Sequence, residues 1–210
     1  MASVPRPRGD HDARRGDVAR AVLRVVAANG FLGLTIRAVA SELGASTGVV
    51  THYFASKDEL QKFALDVLAR TVEERHRSTA EPGIATLRTL LHGMLPISDG
   101  AASATRIWIS SWDVVLADAQ LTATHAKSYA DSRARLEEAI RVAQQHGDLI
   151  AADPGELAAS LQSFTLGLSV QAILDPGEFP AERQIALIDA YLCKLSPPRQ
   201  SIGQRSLQGS

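Results

Sequence analysis

Six histidines and one cysteine are the side chains of this 210-residue sequence with the widest chemical reach. His11, His52, His76, His92, His125 and His146 make no dense ligand spacing with one another or with Cys193, which argues against a zinc site. Asp10-His11-Asp12 could hold a cation weakly, but reads better as part of a solvated arm. No glycine-rich phosphate loop or serine elbow occurs. No catalytic group, metal or other cofactor is therefore expected. An all-helical enzyme and a protein-binding adaptor stand as the alternatives.

A different chemistry is concentrated between Thr35 and Lys57. Thr35, Arg37, Ser46, Thr47, Gly48, Val49, Thr51, His52, Tyr53 and Lys57 supply hydroxyls, a side-chain-free approach point, a methyl-bearing surface and two cations. Such groups suit phosphate oxygens and base edges: helix-end amides and Lys or Tyr meet the backbone, and Thr or Val meets a thymine methyl.

The elements that must position these residues can be read from apolar spacing. Val18, Ala21, Val22, Val25 and Val26 form one helical stripe that Asn29-Gly30 ends. Ile36, Val39, Ala40 and Leu43 form a second, capped by Thr35 and stopped by Gly44. Ser46 then opens a short third helix over Thr47 to Tyr53, so two helices must cross steeply. Ser56 and Glu59 make a capping box for a fourth helix carrying Leu60, Phe63, Ala64, Val67 and Leu68. In the third helix Val50 and Phe54 face the core, leaving Thr47, Gly48, Val49, Thr51 and His52 outward.

Beyond Glu81-Pro82-Gly83, helical patterns run through Ile84 to Leu95, Arg106 to Ala117, Thr122 to Gln145, Asp153 to Leu174 and Pro180 to Leu195. No β-alternation occurs. The expected fold is all-α with about nine helices. Expected boundaries are a flexible basic arm over 1–14, a three-helix head over 15–60, a helical body over 61–196 and a disordered tail over 197–210. Net charge is −1, but residues 1–57 carry eight basic against four acidic side chains, a balance of +4, so the basic part is the head. Met1 to Arg15 lacks the apolar segment of a secretory leader, and no uninterrupted apolar run approaches the ~20 residues of a membrane helix. A cytoplasmic protein without membrane contact is expected.

The run from Thr35 through Leu43-Gly44-Ala45-Ser46, Gly48, His52-Tyr53-Phe54 and Ser56-Lys57 to Leu60 resembles the N-terminal signature of TetR-family regulators. The resemblance implies a helix-turn-helix that binds a double-stranded DNA operator as a homodimer, with a small-molecule effector in the body. It implies phosphate contacts at Thr35, Thr47, Tyr53 and Lys57. Many members carry tyrosine where this chain has Thr51. The body is similar to the BetI-like subgroup, whose ligands, choline or a betaine-pathway aldehyde, call for an aromatic cage. Trp108, Trp112, Tyr129 and Phe164 are the candidate pocket residues, with Phe179 a further aromatic; core packing is the competing reading of Trp108, Trp112 and Val115 at i, i+4, i+7. The helices from Asp153 and from Pro180 are apolar on more than one side, so each must bury two faces, one against a second copy.

Overall fold

The computed structural model describes residues 8–75 and 83–197. Among them are ten helices and no strand: α1 (Arg8–Asn29), α2 (Ile36–Glu42), α3 (Thr47–Thr51), α4 (Lys57–Arg75), α5 (Ile84–Gly93), α6 (Asp99–Ser110), α7 (Trp112–Ala117), α8 (Ala119–Gln145), α9 (Pro154–Leu174) and α10 (Ala181–Leu195).

The head forms because the apolar stripe of α1 closes onto α2 and α4. Ala21 and Val22 are wholly buried, as are Leu34, Val39, Val50 and Leu60. Gly44 ends α2 at φ 63°, a left-handed conformation that costs glycine little. Its N–H donates to Ser41 O at 3.1 Å and the Ala45 N–H to Ala40 O at 2.9 Å, which satisfies the last carbonyls of α2 in a Schellman closure. Gly147 repeats the device after α8, with Asp148 N donating to Ala143 O at 2.8 Å.

The body is a second core, built mainly from α5, α8, α9 and α10 around Leu91, Leu136, Ile140, Leu161 and Ile188. Asp153 caps α9 by accepting from Glu156 N at 2.8 Å, with Pro154 in the first turn. Helix α6 joins the two cores: it packs on α1, α4 and α9, and its Ile107 belongs to the head cluster.

Four features differ from the sequence reading. Helix α1 starts at Arg8, so the expected arm over 1–14 is helical from that point, and residues 1–7 and the tail beyond Pro197 lie outside the described residues. Helix α6 starts at Asp99 rather than Arg106, because Ser98 caps it by accepting from Ala101 N at 3.3 Å; its small first residues carry no apolar period. The chain breaks at buried Ser111, whose hydroxyl donates to Trp108 O at 2.7 Å, so Trp108 and Trp112 sit on different helices rather than on one face. Finally, α9 is long and apolar enough to cross a membrane by length and composition. Its Gly, Ser and Thr residues interrupt the apolar run without making it hydrophilic, and it packs on α5, α6, α8 and α10.

Candidate nucleic-acid interface and effector cavity

Helix α3 is held by one face and open on the other. Val50 is fully buried and Phe54 is 6% exposed, with the Phe54 and Phe63 ring centroids 5.0 Å apart. Ser46, Thr47, Gly48, Val49, Thr51 and His52 are all exposed, Val49 to 44%. The Thr51 hydroxyl donates to Gly48 O at 3.2 Å. A Cβ added at Gly48 would meet only Ser46 Oγ at 3.7 Å, so packing within the chain does not demand glycine there. Its use lies in letting an outside surface approach the backbone.

The flanking residues sit at helix starts around this face. Thr35 caps α2, its Oγ1 accepting from Ala38 N at 3.1 Å. Ser46 occupies the cap position of α3, yet its side chain makes no capping hydrogen bond, contrary to the expected role. Ser56 accepts from Glu59 N at 3.1 Å as expected, but Glu59 accepts from Ala55 N at 2.6 Å rather than from the Ser56 amide. The box is thus displaced by one residue. It orients the start of α4, where exposed Lys57 and, across α2, exposed Arg37 are free of ion pairs among the described residues. Tyr53 is half-buried against the head core, its ring edge-on to His52 with centroids 5.6 Å apart. All ten predicted contact residues therefore lie in one compact segment, nine of them exposed.

In the body, a cavity of about 190 Å³ opens between α6, α8 and α9. Trp108 and Tyr129 line it, together with Met94, Arg135, Leu166 and Val170. The Trp108 indole N–H donates to the Tyr129 hydroxyl at 2.9 Å. On its other side Trp108 stacks on His125, centroids 3.8 Å apart and planes 19° off parallel. Burial raises the Tyr129 phenol above its ordinary pKa, opposed by the hydrogen bond from Trp108. Burial lowers His125, whose Nε2 has no hydrogen-bond partner. A second cavity of about 340 Å³ lies beyond Trp108, between α4 and α8, walled by Phe63, Leu121 and His125. Trp108 and Ser128 line both cavities.

The structure does not gather all the expected pocket aromatics. Trp112 lines neither cavity. Phe164 is 37% exposed on the outer side of α9, edge-on to Tyr191 with centroids 5.0 Å apart. The reason is helical phase: Gln162, Thr165 and Ser169 take the inward positions of α9, and their polar atoms are satisfied by Tyr129 O, Leu161 O and Met94 O. Phe179 packs on the body core away from the cavity, under Arg183 at 5.3 Å. His125, Arg135 and Gln162 were not singled out from sequence. The spacing of His125, Tyr129 and Ser132 at i, i+4, i+7 was the available signal.

A packed pair of short helices, α2 and α3, with one sealed and one open face, mounted on a helical body with an internal cavity, defines a helix-turn-helix transcription regulator. Residues 19–62 match the family model described as bacterial regulatory proteins, tetR family, and residues 83–197 match BetI-type transcriptional repressor, C-terminal. The chain belongs to the TetR family, on its BetI-type branch. It is 29% identical over 175 residues to the HTH-type transcriptional regulator PksA of Bacillus subtilis, covering 80% of this chain and 82% of that one. It is 26% identical to the regulator BetI of Stenotrophomonas maltophilia, over 88% of this chain and 94% of that one. A solved regulator from Saccharomonospora viridis in complex with choline shares the fold at a TM-score of 0.81 and 20% identity, over 86% of this chain and 96% of that one. The chain is a DNA-binding transcriptional regulator and not an enzyme.

Proposed function

We propose that this regulator is a cytoplasmic homodimeric repressor that occupies a palindromic operator and leaves it when a small molecule enters the α6–α8–α9 cavity. The observation that carries the DNA side is the division of α3, with Val50 sealed and Thr47 to His52 open. Thr47, Gly48, Val49, Thr51 and His52 read base edges. Thr35, Arg37, Ser46, Tyr53 and Lys57 hold phosphates. The head spans 15–60 and the effector and dimer body 61–196; helix α4 crosses that boundary without interruption.

Dimerisation is supported by the outer side of α9 and α10, where Phe164 and Leu174 are exposed, Leu174 to 77%, beside half-buried Tyr191. Two such faces brought together present two heads to a twofold-symmetric site. Release follows if the effector binds better to the head spacing that the operator rejects. Helix α4 is the natural lever, since Phe63, Leu65 and Asp66 border the second cavity and Lys62 reaches Asp118 of the body at 3.9 Å.

Gel shift against the DNA upstream of the chain's own gene tests this reading. Binding should weaken with rising salt and weaken strongly in Lys57→Ala. Binding that is indifferent to salt and to Lys57 would overturn it. Sedimentation without DNA at micromolar concentration should give a dimer; a monomer would contradict the dimer assignment.

A further inference from the structure

Two charged side chains line the first cavity, Asp131 and Arg135, and of these Asp131 is exposed. Arg135 lines it and is half-buried on α8. The acids one helical turn away on either side are already engaged. Asp131 pairs with Lys127 at 2.7 Å and Glu138 with Arg141 at 3.4 Å, leaving Arg135 without an ion pair among the described residues. The neighbouring Arg133 donates to Gln162 Oε1 at 3.1 Å, so it too has no carboxylate partner. Lys127, Asp131, Arg133 and Arg135 together give this stretch of α8, about two and a half turns, an excess of positive charge. The opposite walls are apolar: Met94, Ile109, Leu166 and Val170.

We infer that the effector is a small carboxylate with an apolar body, its anionic end on the Arg135 guanidinium and its body between Trp108 and the α9 side chains. A half-buried guanidinium without a carboxylate favours an anion, which it can meet with two parallel hydrogen bonds. The same wall disfavours a quaternary ammonium. Only Trp108 and Tyr129 offer aromatic faces, and the one carboxylate present, Asp131, is held by Lys127. Opposite the ligand, the stack of Trp108 on His125 is the wall it would press.

This inference rests on the effector reading above, but its test is independent of DNA. Trp108, one of the two tryptophans of the chain, lines the cavity and hydrogen-bonds Tyr129, so intrinsic fluorescence reports occupancy. Hexanoate should bind at least about tenfold more tightly than hexanamide, and benzoate more tightly than benzamide. Arg135→Gln should erase both preferences while leaving amide binding and the melting temperature unchanged; Arg141→Gln, on the outer surface, should retain them. Equal binding of acid and amide in both pairs, tighter binding of choline than of either acid, or a preference that survives Arg135→Gln would overturn the inference. If the acids are preferred but the chain binds no DNA, the operator reading fails instead. If DNA is bound and no acid is preferred, only the ligand class is wrong.

Discussion

The head and the body are both helical cores, yet they spend their polar groups in opposite places. In the head the interior is apolar from Val18 to Ala64 except for Gln61, and polar side chains such as Thr35, Ser46, Thr51 and Lys57 stand at helix ends or on the open face. In the body Ser111, His125, Gln162, Thr165, Ser169 and Gln184 are buried, while Phe164 and Leu174 face outward. A dry core holds one shape and presents a fixed surface. A core with polar groups and cavities can admit a ligand and can have more than one arrangement. The contrast assigns recognition of a rigid partner to the head's outside and of a small molecule to the body's inside.

Substitutions that separate the two regions should sharpen this contrast. The largest effect is expected from Leu60→Ala, which empties a fully buried head position. It should cost about 2–5 kcal/mol in chemical denaturation and abolish operator binding. Next, Lys57→Ala should leave the melting temperature in place, weaken operator binding by about 1.5–3 kcal/mol, and reduce the salt slope by about 1. Thr35→Ala removes a real cap and should cost ~1 kcal/mol of stability. Ser46→Ala, with no capping bond to lose, should fall within about 0.5 kcal/mol of the parent. Equal losses at the two sites would break the assignment of their roles.

The smallest expected effect is on pH dependence, and it belongs to the body. Burial lowers the pKa of His125 and, chiefly, that of His92, so the folded chain resists a proton that the unfolded chain accepts. The stability they confer is present above the unfolded pKa of about 6.5 and is lost as pH falls below it. Thermal melting should therefore shift downward between about pH 7.5 and 5. His125→Phe, which keeps a ring against Trp108, should reduce the shift. An identical shift in that variant would show that His125 is not responsible.

How far the sequence could be read follows the same division. Most of the head was legible, Ser46 and the Glu59 half of the capping box excepted, because its elements are bounded by local devices: the Thr35 cap, the Gly44 closure and the Val50–Phe54 pair each declare themselves within a few positions. In the body, helix existence was legible but helix phase was not. On α9 the apolar residues surround the axis, so nothing in the sequence said that Gln162 and Thr165 point in and Phe164 out. That choice is made by partners distant in sequence, Tyr129 O and Met94 O among them. The break at Ser111 was hidden for a similar reason, since the Trp108, Trp112, Val115 spacing suits an unbroken helix.

The central claim, that two copies of the Thr35-to-Leu60 head read one DNA site from the open face of α3, is tested most directly by selecting bound duplexes from a random pool. The account predicts an enriched sequence made of two inverted half-sites, lost when the selection is repeated with Lys57→Ala. Recovery of unenriched DNA, or of a site without twofold symmetry, would contradict it.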